Sequence, residues 1–162
     1  MNFIRLENNK ASIAEMSALA SSIVKEHYDS IIGPEQNDYM IKKFQSPESI
    51  EKQMRDGYRY YFVSIEGDNV GFISIMPKED EMYLSKFYLR SDVRGKGYSR
   101  EMLAFIIEEA KKEDLNRIML NVNKNNGSTR IYEKLGFLRE GPMITDIGQG
   151  YIMDDYVYRY YI

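Results

Sequence analysis

Apolar positions change their spacing several times along this chain, and each change marks an element. Residues 2–7 read as a first strand, residues 11–27 as a helix, and residues 35–56 as one or two further helices, with Pro47 near a helix start where proline is tolerated. Tyr58–Glu66 and Val70–Met76 alternate around Glu66-Gly67-Asp68-Asn69, the signature of a hairpin. After the turn Pro77–Glu81, the aromatic and aliphatic run Met82–Leu89 predicts a strand. Met102, Leu103, Ile106, Ile107 and Ala110 then recur at helical spacing, with Arg100, Glu101, Glu108, Glu109, Lys111 and Lys112 mostly on the other face. Arg117–Val122 is another strand, and from about Gly136 to Ile162 two more follow, separated by Thr145–Gly150. No Pro/Gly/Ser-rich linker, repeat or low-complexity tract interrupts this alternation, which predicts one α/β domain over residues 1–162.

The segment between the Met82–Leu89 strand and the following helix is Arg94-Gly95-Lys96-Gly97-Tyr98-Ser99. Small residues there let the backbone curl around an anion. The unpaired N–H groups of the first helical turn point at that anion, with the positive end of the helix dipole behind them. Glycine also serves ordinary turns, so the spacing alone leaves a plain strand-to-helix connection open. The dinucleotide fingerprint needs a third glycine that is missing here, and the P-loop spacing is absent.

The loop resembles the acyl-coenzyme-A pyrophosphate loop of the GNAT N-acetyltransferase superfamily, Arg/Gln-x-x-Gly-x-Gly/Ala, with Arg94, Gly97 and Ser99 at its defined positions and Ser99 a departure from Gly or Ala. A second segment, Asn125 to Phe137, resembles the superfamily's Asn-x-x-Ala/Ser-x-x-x-Tyr-x-x-x-Gly-Phe element. Together the two cover about residues 60 to 162. The resemblance implies an α/β (α+β) fold: a mixed, mostly antiparallel sheet, its central parallel strands splayed apart to admit coenzyme A and flanked by helices. It implies that acetyl-coenzyme A is held by Phe87, Tyr88 and Leu89 through their backbone, by Arg94, Gly95, Lys96, Gly97, Tyr98 and Ser99 at the pyrophosphate, and by Asn125, Ser128, Tyr132 and Lys134 beyond. Asparagine and serine are also ordinary helix caps, and Lys134 with Arg130 fits a solvated helix face equally well.

Acetyl transfer from a thioester to an amine needs a neutral amine, a donor for the developing oxyanion and a proton for the departing thiolate. The resemblance assigns the last to Tyr132, a phenol of ordinary pKa near 10 that stays protonated at neutral pH, and the oxyanion to a backbone N–H near Leu89. Tyr132 as a packing residue is the alternative in a chain with 14 tyrosines. Many superfamily members carry a glutamate two residues before the position of Phe87; here that residue is Ser85, so the amine proton must leave by another route. The single histidine, His27, titrates near neutrality and falls in the helical region that lines the acceptor side in related proteins.

The phrase Asp146–Tyr156 resembles the tail of the bacterial diamine and polyamine acetyltransferase branch, which makes Asp154 and Asp155, beside aromatic residues, candidates for binding a cationic acceptor. The expected activity is transfer of acetyl from acetyl-coenzyme A to a primary amine on a small molecule, a polyamine first, within a ternary complex. Two alternatives are a non-catalytic acyl-coenzyme-A sensor and an acetyltransferase of protein N-termini or lysines. A net charge of −3 without a basic run argues against nucleic acid, and the absence of cysteine removes disulfides and thiolate chemistry. No metal is called for. The N-terminus lacks the apolar core of a signal peptide, and no apolar run nears the roughly 20 residues that span a bilayer, so the expectation is a cytoplasmic monomer or homodimer without membrane contact.

Overall fold

A computed structural model describes residues 1–162, which condense into two compact units: Met1–Met76 with Lys86–Tyr98, and Pro77–Ser85 with Ser99–Ile162.

The first unit contains strands β1 (Asn2–Arg5), β2 (Arg59–Ile65) and β3 (Asp68–Pro77, in this unit to Met76), and the second half of β4 (Met82–Leu89), in that order across the sheet. β1 pairs antiparallel with β2, and β2 with β3. Helices α1 (Lys10–Ile32), α2 (Pro34–Phe44) and α3 (Pro47–Arg55) complete it. Ile13, Met16, Ala20, Ile23 and Val24 form the buried stripe of α1 and pack with Ile50, Tyr60, Phe62 and Phe72 in one core. α1 runs five residues beyond the expected end at His27, because Lys25 and Asp29 pair one turn apart at 3.0 Å and no breaker intervenes before Gly33-Pro34. The 35–56 region is two helices. Ser46 starts the second, its Oγ accepting from Ser49 N at 3.2 Å, with Pro47 at the first helical position.

The second unit contains the first half of β4, then helix α4 (Tyr98–Lys112, here from Ser99), β5 (Arg117–Asn123), helix α5 (Thr129–Leu135), β6 (Leu138–Gly148) and β7 (Tyr151–Tyr161), its strands ordered β4-β5-β7-β6. The parallel ladder of β4 on β5 spans only Met82/Ile118 and Tyr83/Met119, whereas β5 pairs antiparallel with β7 along its whole length, from Arg117/Tyr161 to Asn123/Asp155. The parallel pair therefore parts early, while β5 stays anchored on its other edge. Ile118, Leu120 and Val122 are buried on one face of β5, and Arg117, Met119, Asn121 and Asn123 lie half-buried on the other. The expected separator Thr145–Gly150 is shorter than its composition suggests. β6 continues to Gly148 because Asp146 Oδ1 accepts from Gly148 N at 2.8 Å and a bulge absorbs Ile147, leaving a turn at Gln149-Gly150.

Candidate active site

In the first unit, β4 closes on β3 where glycine leaves room. A Cβ on Gly71 would lie 2.3 Å from Tyr88 O and 2.9 Å from Leu89 Cδ2, closer than any side chain tolerates. Gly71 is thus what lets the end of β4 press against its neighbour, and Arg90 N donates to Val70 O at 2.7 Å just beyond. The Tyr88 ring stacks on Phe72 at 5.2 Å, and its hydroxyl lies 3.4 Å from that of Tyr28. The side chain of Tyr88 is spent on the core. His27 joins the same aromatic group, its ring 4.8 Å from Tyr28 and 6.3 Å from Tyr88.

From Leu89 the chain makes a short 3₁₀ turn, Ser91–Val93, and enters the glycine loop. Arg94 Nε donates to Leu89 O at 2.9 Å, tying the loop to the strand end. Gly95 and Gly97 take φ of +76° and +80°, with nothing within 4 Å of where a Cβ would stand. Both need the left-handed region that glycine enters freely. The space beside them is open, Arg94 to Gly97 are exposed, and α4 begins at Tyr98. The loop thus has the form of an anion cradle, with Lys96 exposed at its centre.

In the second unit, Tyr132 is buried on α5, its ring 5.8 Å from Phe137 and 6.4 Å from Tyr158. Tyr158 lies opposite Leu120 in the ladder, so α5 covers the apolar face of β5 and β7. Neither Asn125 nor Ser128 caps α5 through its side chain. Asn126, a buried residue that sequence reasoning missed, instead braces the turn ahead of the helix: its Oδ1 accepts from Ser128 N at 2.9 Å. The tandem asparagines gave no signal for choosing between them. Asn125 is left exposed, its N–H donating to Asn123 Oδ1 at 2.9 Å, and Lys134 is exposed in the last turn of α5.

Asp154 and Asp155 are adjacent on β7, and strand alternation turns them to opposite faces. Asp154 is engaged by Lys124, whose Nζ lies 2.9 Å from Oδ1. Asp155 is buried opposite Asn123, and burial together with the neighbouring Asp154 pushes its carboxyl up to about 6.

Lys86 is a second residue that sequence reasoning passed over. Its Nζ sits 5.5 Å from the centre of the Phe44 ring, and burial pulls its ammonium down to about 8. A lysine in a strand carries no local mark of this, because α2 supplies the ring.

Strand order, early-parting parallel pair and glycine loop define an acyltransferase type of α/β fold. A family model described as the Acetyltransferase (GNAT) family matches residues 24–137, and the chain belongs to that family. Among curated relatives, an uncharacterized prophage-derived N-acetyltransferase, YokL, of Bacillus subtilis (strain 168) is 31% identical over 105 residues, 59% of this chain and 57% of that protein. A spermine/spermidine N(1)-acetyltransferase of the same organism is 32% identical over 88 residues, 48% of this chain and 58% of its own length. The chain thus spans under three-fifths of the length of these curated relatives. Among solved structures, the PaiA N-acetyltransferase of Thermoplasma acidophilum, in complex with coenzyme A, superposes with a TM-score of 0.76 at 17% identity over 100% of both chains. At that identity the likeness concerns the fold.

Proposed function

We propose that this chain is an acetyl-coenzyme-A-dependent N-acetyltransferase whose acceptor is a primary amine on a small molecule, a polyamine before others, working as one domain of residues 1–162 in the cytoplasm. The observation that carries this reading is the Arg94–Tyr98 loop: two left-handed glycines with open space beside them, fastened to the end of β4 by Arg94 and leading into the first turn of α4. The pyrophosphate binds to the N–H groups of that turn, with Lys96 adding charge. The amides of the pantetheine arm pair with the backbone of Phe87, Tyr88 and Leu89 in the manner of an added strand. Asn125, Ser128 and Lys134 contact the coenzyme from α5 and the turn before it, and Tyr132 protonates the leaving thiolate. Acetyl-coenzyme A supplies the activated acyl group. The polyamine preference draws support from the matched Bacillus subtilis spermine/spermidine enzyme and from the carboxylates of β7.

The test is a panel of amines (polyamines, diamines, amino sugars, an N-terminal peptide, a lysine peptide) incubated with acetyl-coenzyme A while free thiol is followed. Thiol release with small amines, strongest with spermidine, supports the proposal. Tight coenzyme binding without release for any amine points to a sensor, and release with peptides alone points to a protein-modifying enzyme.

A further inference from the structure

The carboxylates on the strands of the second unit, and Glu81 beside β4, have a hydrogen-bond donor or an ion-pair partner, with one exception. Glu81 is held by Arg159 at 2.8 Å and Arg117 at 3.3 Å, Glu140 by Arg159 at 2.9 Å and by the Tyr161 hydroxyl, Asp154 by Lys124 at 2.9 Å, and Asp146 by Gly148 N–H at 2.8 Å. Asp155, 3% exposed, has no such partner, and what acts on its carboxyl is burial and the neighbouring Asp154. Two positions along β5, on the same face, Asn121 presents a buried Oδ1 that also lacks a donor. The ladder pairs Asn123 with Asp155 and Asn121 with Val157, so Asn121 and Asp155 are diagonal neighbours, roughly 7–8 Å apart at the backbone. The intervening Asn123 has its Oδ1 occupied by Asn125 N–H. What meets on this face is a carboxylate and an amide oxygen to which the chain gives no hydrogen bond. A buried charge of that kind needs a cation or must stay protonated.

We propose that Asp155, assisted by Asn121, seats the ammonium group of the acceptor and takes its proton, an assignment that rests on the acetyltransferase reading above. An alkylammonium head carries three donors, which suits a carboxylate and an amide oxygen that receive none from the chain. Ser85 stands where the resembling family often has glutamate and cannot serve as that base, which leaves the work open to another carboxylate. Asp155, raised to about 6 by burial and by Asp154, is a base matched to neutral pH. No cation competes for it nearby. Arg159, four residues along the same face and about 13 Å away by strand rise, is committed to Glu81 and Glu140, and Lys124 is committed to Asp154 on the opposite face. The residue opposite on β6 is Met143, which is uncharged.

In the step itself, the ammonium gives one proton to the Asp155 carboxylate, which releases it to solvent. The freed nitrogen lone pair forms the C–N bond at the thioester carbonyl, the C–S bond breaks, and its electron pair leaves on sulfur. Tyr132 gives the thiolate its proton and is reprotonated from solvent, to which the nitrogen loses its second proton. One amide, one thiol and one released proton result.

The experiment compares wild type, Asp155→Asn, Asp155→Glu and Asn121→Ala with acetyl-coenzyme A and spermidine from pH 5 to 9. Alongside, the Asp155 carboxyl of the wild type is titrated by carbon NMR with and without spermidine. Expected are a wild-type kcat/KM for spermidine that falls below pH about 6, and a 10²–10⁴-fold loss in Asp155→Asn at pH 7 together with loss of that limb. Partial recovery in Asp155→Glu, and a raised spermidine KM in Asn121→Ala at unchanged coenzyme affinity, complete the expected set. Spermidine should lower the carboxyl's midpoint, a readout independent of whether any variant folds. Wild-type rates and an unchanged limb in Asp155→Asn, or a midpoint indifferent to spermidine, would overturn the proposal. Absence of turnover in the wild type with a spermidine-lowered midpoint would instead refute the acetyltransferase reading and keep the seat.

Discussion

Replacing Asp155 by asparagine should make this protein more stable at neutral pH. The wild-type carboxyl is raised from its ordinary 3.8 to about 6 by burial and by Asp154, so the fold holds it protonated over a range where the unfolded chain has let the proton go. Between those values the native state binds more protons than the unfolded state, and stability falls as pH rises. The burden is absent below about pH 4 and fully present above about pH 6. Roughly two units at 1.36 kcal/mol each amount to about 3 kcal/mol, of which an uncharged amide left in the same surroundings takes back about 1. The expected gain of Asp155→Asn is therefore about 2 kcal/mol at pH 7.5, or about 4–8 °C in Tm for a chain of this size, shrinking towards nothing at pH 4. Urea melts of both proteins at pH 4, 5, 6 and 7.5 measure it, with Asp154→Asn as a control. Asp154 has Lys124 within 2.9 Å at a partly exposed site, so that change should be neutral or destabilising by up to about 1 kcal/mol. An Asp155→Asn protein equal to or less stable than wild type at pH 7.5, or a gain independent of pH, would mean that the carboxylate has a partner and that the desolvation argument is wrong.

Other outcomes follow from the remaining geometry. Gly97→Val forces a branched side chain into φ near +80° with nothing nearby to clash, so the fold should persist while calorimetric coenzyme affinity drops at least tenfold, about 1.4 kcal/mol. Gly71→Ala places a methyl group 2.3 Å from Tyr88 O, so β4 must move. We expect a loss of about 1–3 kcal/mol in urea melts, with weakened coenzyme binding because the displaced backbone is the one assigned to the pantetheine arm. Tyr132→Phe keeps the ring contacts with Phe137 and Tyr158 and should leave folding and coenzyme binding intact while kcat falls 10²–10⁴-fold. Wild-type kcat where chemistry limits the rate would make Tyr132 a packing residue.

Hydrophobic spacing by itself determined β4 from Met82 to Leu89, the amphipathic α4 and the hairpin of β2 and β3, because each is a local periodicity that burial of one face enforces. The glycine loop was legible for the same reason. Positive φ at Gly95 and Gly97 is a property of those residues and their immediate neighbours, whatever surrounds them. The tertiary structure decided everything that depends on which strand lies next to which. Gly71 is an unremarkable glycine until β4 crosses it at contact distance, and Lys86 is an ordinary lysine until Phe44 arrives from α2. Asp154 and Asp155 read as one acidic pair in sequence, yet a strand's period of two sends one to Lys124 and the other to a buried place opposite Asn123 and diagonal to Asn121. Those neighbours lie thirty or more residues away along the chain. Register is a long-range quantity that no local pattern encodes, and here it separates a neutralised surface acid from one that has no counter-charge.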